Sequence, residues 1–317
     1  MSLPVFLARR AGWAAVLLVL VTGLVFAATA ALPGDAVSAV AGTDASPTER
    51  AAVRHSLGLD RPVAERYARW AGKAVRGDLG TGFVGHRPVT RVLAERLPAS
   101  LLLAGLTLLL VVPCALVLGL WAGLRRGRAP DRLVSLVALT AASVPEFVTA
   151  ALLIAVFSVG LGLLPRVVLV PLGGSPFQAP SGLVLPVLTL AGAGLATATR
   201  LVRTAVAEVD RSAYIEAARL DGVRGARLAL RHVLPNALGP AVQGLALTTS
   251  GLVGGAVVVE SVFDYPGIGR ELQQAVAARD VPMVLGITTA LAAVVLLLLL
   301  LGDVLARLLD PRGGTGR

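Results

Sequence analysis

Charge is scarce in this sequence. Only 15% of its 317 residues are Asp, Glu, Lys or Arg, where a soluble globular chain carries about 25%. That shortage excludes a disordered chain and almost any water-soluble fold. Cysteine is nearly missing. The single Cys114 excludes an internal disulfide and a thiolate metal site. Lysine is rarer still relative to its usual frequency: Lys73 is the only one among 29 basic residues. It cannot complete a phosphate-cradling G-x-x-x-x-G-K-[ST] loop, because Ala74 follows it and Tyr67 stands where the first glycine should be. The three histidines (His55, His86, His232) form no H-E-x-x-H, and no G-x-S-x-G elbow occurs. No catalytic residue, cofactor or metal ligand is therefore assigned.

What is present is apolar. Hydrophobic residues make up 56% of the chain, with a mean hydropathy of +0.79. They come in runs, and runs of about 18 or more read as membrane helices. Six such stretches occur: Ala11–Leu32, Leu97–Leu124, Leu133–Pro165, Leu183–Thr199, Val233–Val259 and Val281–Gly302. Lipid offers no partners to free backbone groups, so each must be a helix. The expected fold is an all-α integral membrane protein with six transmembrane helices. Ala28-Thr29-Ala30 resembles a signal-peptidase site, but the preceding apolar stretch is longer than a signal core of about 7–15 residues. The first stretch is read as a retained span.

Loop charge sets the orientation. The N-terminus, Arg125–Arg132, Arg200–His232 and the C-terminus hold sixteen basic residues, against three in the two short loops on the other side. Short loops dominate topology, so both termini are expected in the cytoplasm. The net charge of +10 then lies largely at the inner leaflet, facing anionic lipid rather than nucleic acid. The organisation is thus residues 1–32 as a first membrane helix, 33–96 as an extracytoplasmic loop, and 97–317 as a five-helix core. Within the long loop, Thr48–Leu57 and Val63–Val75 have helical spacing, and Tyr67, Trp70, Ala71 and Ala74 share a face. It should form a small helical cap.

Within the core, residues 207–235 differ from the rest. Tyr214-Ile215-Glu216-Ala217-Ala218-Arg219-Leu220-Asp221-Gly222 reads as a short helix. Tyr214, Ala217, Ala218 and Asp221 fall on one face, and Gly222 can end the helix in a left-handed cap. The two alanines would let another surface come close. Arg224, Arg227 and Arg231 follow at helical spacing, and Pro235 can open the next helix, where its missing N–H costs nothing. On physics alone this could equally be a charged loop that only separates two spans.

Glu216-Ala217-Ala218-x-x-x-Gly222 followed by Leu234-Pro235 resembles the EAA motif of ATP-binding-cassette importer permeases. Further segments resemble the dipeptide, oligopeptide and nickel branch of that family: Leu32-Pro33-Gly34-Asp35, Leu57–Pro62, Gly77-Asp78-Leu79-Gly80, Glu260–Gly269, Arg279-Asp280-x-Pro282 and Leu309–Arg312. His232 departs from the general motif, which prefers isoleucine there. The resemblance covers essentially the whole chain. It implies a type I importer permease fold and no enzymatic activity in this chain. It also implies four kinds of partner: a homologous permease subunit, two ATP-binding subunits, an extracytoplasmic solute-binding protein and membrane lipid. Glu216, Ala217, Ala218, Gly222, Leu234 and Pro235 would then couple to the ATPase. The solute would be a peptide or a relative such as a nickel chelate, with the binding protein largely choosing it.

Two carboxylates are candidates for the translocation pathway. Glu146 lies about fourteen residues into the third span, where a charge costs roughly 3 kcal/mol unless paired or hydrated. Glu260 ends the fifth span and could line an outer mouth, although a carboxylate at an interface is cheap. Gly119, Gly123 and Gly127, and Gly251 with Gly255, have the spacing of close helix contacts. Asp303 and Arg307 form an i,i+4 pair. An ion-coupled secondary transporter is the alternative reading. Such proteins show internal repeats and several midplane charges, and here only Glu146 is deep and no repeat is visible. An intramembrane protease is weaker still, because Gly302-Asp303 has no second intramembrane aspartate.

Overall fold

The computed structural model describes residues 3–31, 36–42, 45–169, 176–178 and 180–309. Leu32–Asp35, and the residues after Leu309 of the last resembling segment, lie outside them. Among the described residues all regular structure is helical, apart from an isolated bridge between Thr81 and Pro88. Five helices among the described residues are long and apolar enough to cross a membrane: Pro4–Ala31, Val89–Gly123, Pro180–Val209, Gly225–Val262 and Val281–Leu308. A sixth crossing is available only as a bent pair, Ala129–Ser143 with Glu146–Gly160, whose axes turn by 98°. The chain is an all-α, multi-pass membrane protein.

The third apolar stretch is therefore not one straight helix. Val144 precedes Pro145, and a residue before proline is pushed out of the α region. Val144 (φ −91°, ψ 122°) and Pro145 (φ −59°, ψ 146°) are both extended, and two such residues stop a helix.

The chain divides into two compact units, Met1–Ser100 with Pro266–Leu296, and Leu101–Tyr265 with Leu297–Arg317. The first unit holds α1 (Leu3–Ala31), α2 (Ala36–Ala41), α3 (Pro47–Ser56), α4 (Val63–Ala74), the start of α5 (Val89–Gly123), α12 (Ile268–Ala277) and most of α13 (Val281–Leu308). Helix α3 opens with a capping box. The Ser46 N–H and hydroxyl bond the Glu49 carboxylate, which holds that carboxyl below its usual range. Helix α4 lies against α1 through its aromatic face. The Tyr67 hydroxyl bonds Thr22 Oγ1 at 2.9 Å and the Val19 carbonyl at 3.0 Å, and the Tyr67 ring sits 5.6 Å from Phe26. The core of this unit joins Val89 and Val92 to Ile268, Met283, Val284 and Ile287.

Two resembling segments meet in this unit. Leu79 packs against that core and its carbonyl accepts from the Trp70 indole N–H at 3.2 Å. Asp280, fully buried, accepts from Val84 N–H at 3.0 Å and from Met283 N–H at 3.2 Å. One carboxylate thus caps α13 and ties it to the end of the long loop.

In the second unit α8 (Pro180–Val209) is the central helix, packed against α6 (Ala129–Ser143), α7 (Glu146–Leu153) and α11 (Leu234–Val262). Helix α5 approaches it through glycines. A Cβ on Gly119 or Gly123 would lie 2.6 Å from Val202 or Val206. The small-residue spacing here serves contact within this chain. Gly127 instead turns the chain with φ +78°.

Candidate functional site

The loop after α8 carries α9 (Ala213–Leu220). Its last turn closes on Gly222, at φ +83°. Gly222 N–H donates to the Arg219 carbonyl at 3.1 Å, and Val223 N–H donates to the Ala218 carbonyl at 3.0 Å. These are the paired bonds of a Schellman cap, which favours glycine because a Cβ is disfavoured at positive φ.

Three contacts fix this short helix. Ile215 and Ala218 are buried in a core with Val202, Val206, Leu228 and Val233. Arg219 Nη2 donates to Asp210 at 2.5 Å, tying α9 to the end of α8. The Tyr214 hydroxyl meets His232 Nδ1 at 2.9 Å, tying it to the helix that follows. His232, which departs from the motif, thus has a local structural use.

The face that remains outside carries Glu216, Ala217, Leu220 and Asp221, with Leu220 84% exposed. The two alanines therefore separate. Ala217 is exposed, whereas Ala218 is spent on the chain's own core. The one-face grouping places them together because it does not say which neighbour the helix already has.

The next helix begins earlier than Pro235. A turn of α-helix, α10 (Gly225–Leu228), runs through a π segment (Ala229–Val233) into α11. Pro235 would clash with the carbonyl four residues back in a regular helix. A wider π turn before it accommodates the ring, so the span continues unbroken for 38 residues from Gly225 to Val262. Arg224 precedes this helix with extended backbone, leaving Arg227 and Arg231 as its exposed i,i+4 pair.

Glu146 is the first residue of α7, directly after the break, and is part-exposed. It lies where α7 meets α11: a Cβ on Gly255 would sit 3.3 Å from Glu146 Oε1 and 3.5 Å from Leu190 of α8. Gly255 is about 10 Å along the axis from the Val262 end of α11, and Leu190 about 15 Å from the Pro180 end of α8, at 1.5 Å per residue. Among the described residues the Glu146 side chain makes no hydrogen bond or ion pair. Glu260 is different. It is 1% exposed, next to the buried Tyr265, whose N–H donates to the Glu260 carbonyl at 2.9 Å. Burial, and then the nearby carboxylate, push the Tyr265 phenol above its ordinary range.

One charged pair escaped the sequence reading. Asp131, 3% exposed, accepts from Arg203 Nε at 2.6 Å and Nη2 at 2.7 Å, and from Gly127 N–H at 2.8 Å. It joins the turn before α6 to α8, six residues before α8 ends. Asp131 stands among Arg125, Arg126, Arg128 and Arg132, so local charge gave no reason to look for a partner 72 residues away.

Residues 115–313 match the family of binding-protein-dependent transport system inner membrane components, and residues 3–104 match the N-terminal region described for such membrane components. The chain belongs to that family. It is a transport permease and not an enzyme. A putative peptide transport system permease protein of Brucella abortus is 35% identical over 304 residues, covering 96% of this permease and 97% of the relative. Glutathione transport system permease proteins of Salmonella paratyphi A and Escherichia coli are 35% and 36% identical over 294 residues, covering 93% of this permease and 94% of each relative. Family membership implies an importer's usual partners: an ATPase, a solute-binding protein and a paired permease.

Proposed function

We propose that this permease forms half of the translocation pathway of an ATP-driven importer for peptides or a related solute. It pairs with a homologous permease subunit, above two ATP-binding subunits, and an extracytoplasmic binding protein delivers the solute. Both termini face the cytoplasm, residues 33–96 form an extracytoplasmic loop with short helices, and residues 97–317 form the core. The names of the relatives support the solute class, since they are described as peptide and glutathione permeases.

Coupling is assigned to the 207–235 loop. Glu216 and Ala217 form the contact face, Ala218 seats the helix, Gly222 ends it, and Leu234 with Pro235 continue into the next span. The observation that carries this is an exposed two-turn helix pinned at both ends and underneath, with Leu220 standing bare at its tip. Such a helix moves as a lever. It transmits work only if the ATPase binds it differently in its two states. Of the two pathway carboxylates, Glu146 has accessible surface, while Glu260 is enclosed and enters only as a buried neighbour of Tyr265.

The test is co-purification from the native host. Tagged wild-type permease should bring down a subunit with a phosphate-binding loop. Ala217→Trp, which adds bulk outside the core, should lose that subunit or leave hydrolysis no longer tracking transport. Normal complex yield, hydrolysis and transport in Ala217→Trp would defeat the assignment.

A further inference from the structure

We propose that Glu146 is the counter-charge that receives the cationic end of the solute, the α-ammonium of a peptide, during passage. This rests on the peptide-type importer reading above and names the chemistry of one point on its pathway.

A carboxylate between apolar helices must be neutralised, hydrated or paired, because lipid and packed side chains cannot solvate it. Three other buried or part-buried carboxylates of this permease have protein donors. Asp131 has Arg203 and Gly127, Asp280 has two backbone N–H groups, and Glu271 has Arg96 at 3.1 Å and Arg87 at 3.4 Å. Glu146 has none, and no Arg or Lys within salt-bridge reach, among the described residues.

Its setting is built to present the group. The break at Val144–Pro145 frees the start of α7 from the helix before it, so the side chain projects at a 98° corner. Opposite stands Gly255, where any Cβ would come within 3.3 Å of Oε1. The flanking positions Gly251 and Gly254 are exposed, and a Cβ on either would meet nothing within 4 Å. The carboxylate therefore borders open, uncharged helix surface. An ammonium there would meet one full negative charge with few competing groups, and a charge-assisted hydrogen bond in such surroundings is among the stronger polar contacts available. A single carboxylate is a poor site for a divalent metal, which takes several oxygen ligands, but it suffices for one ammonium.

The experiment uses the native host with the gene deleted and resupplied, so that every partner is present. Uptake is compared for two labelled tripeptides of one sequence, one with a free N-terminus and one N-acetylated, relative to the deletion strain. Wild type, Glu146→Gln and Glu146→Asp are measured, with membrane expression and ATPase co-purification followed in each. Any preference of the binding protein is common to all three strains, so the informative quantity is the change in the free-to-acetylated ratio. Glu146→Gln should lower that ratio roughly tenfold, the factor one charge-assisted hydrogen bond supplies, mainly by slowing the free peptide. Glu146→Asp should restore most of it. An unchanged ratio, whether both rates stay normal or both fall together, overturns the ammonium assignment and leaves a structural or proton-holding carboxylate. Wild-type uptake of neither peptide above the deletion strain overturns the peptide reading itself, and this assignment with it.

Discussion

At the scale of single residues, the Asp131–Arg203 pair shows how cost and geometry combine. A buried carboxylate is tolerable only with donors, and Asp131 has a bidentate guanidinium plus one backbone N–H. Removing one partner leaves the other charge enclosed, and losses of about 3 kcal/mol follow from breaking such pairs. Arg203→Met should therefore lower the apparent Tm of the detergent-purified permease clearly. Adding Asp131→Asn to it should recover a large part, because no charge is then stranded. A thermal scan of the two variants checks this. Equal Tm for wild type and Arg203→Met would mean that the pair contributes nothing to folding. The same logic separates Ala217 from Ala218. Both are small, but only Ala218 fills a core position beside Ile215 and Val233, so bulk at Ala218 disturbs folding before it can report on docking.

At the scale of elements, Gly222 sets where α9 ends. Nothing lies within 4 Å of where its Cβ would be, yet its φ is +83°. Gly222→Val thus meets no steric wall and changes only backbone preference, by about 1–2 kcal/mol. The cap should open and the α9–α10 junction lose its fixed direction while the spans stay intact. Limited proteolysis at Arg219 and Arg224 checks this. Cleavage should accelerate in Gly222→Val membranes, and an unchanged rate would mean that the turn is held by other contacts. This element was legible in the sequence because helix propensity, small residues and a glycine stop lie within nine positions. The spans were legible because uncharged runs leave lipid no alternative to a helix. Other features were not. Pro145 breaks its helix, whereas Pro186 and Pro240 sit inside unbroken ones, and composition alone does not distinguish them. The start of the fifth span at Gly225 was hidden because a π turn absorbs Pro235. The burial of Glu260, 1% exposed, is set by the tertiary fold, and no local pattern carries it.

At the scale of the whole molecule, topology hangs on the bent pair. If Ala129–Ser143 and Glu146–Gly160 together cross the membrane, the chain has six spans, and the N-terminus, the turn before α6, the α9 loop and the C-terminus share one side. If the pair returns to the side it left, there are five crossings, and the α9 loop moves to the opposite side from the N-terminus. Loop charge favours the first. Six crossings place sixteen basic residues on one side and three in the short loops of the other; five crossings would leave nine against ten. Positive charge is retained on the cytoplasmic side of short loops, so only the first arrangement has a bias to follow. In a Cys114→Ala background, single cysteines at Arg128 and Arg227 should resist a membrane-impermeant thiol reagent in intact cells, and one at Thr81 should react. All three should react once the membrane is opened. Labelling of Arg227 but not Arg128 from outside would identify the bent pair as re-entrant. It would also remove α9 from reach of any cytoplasmic ATPase. Labelling of Arg128 with protection of Thr81 would invert the whole orientation. The pattern Thr81 open, Arg128 and Arg227 closed, is the one that leaves α9 within reach of a cytoplasmic ATPase.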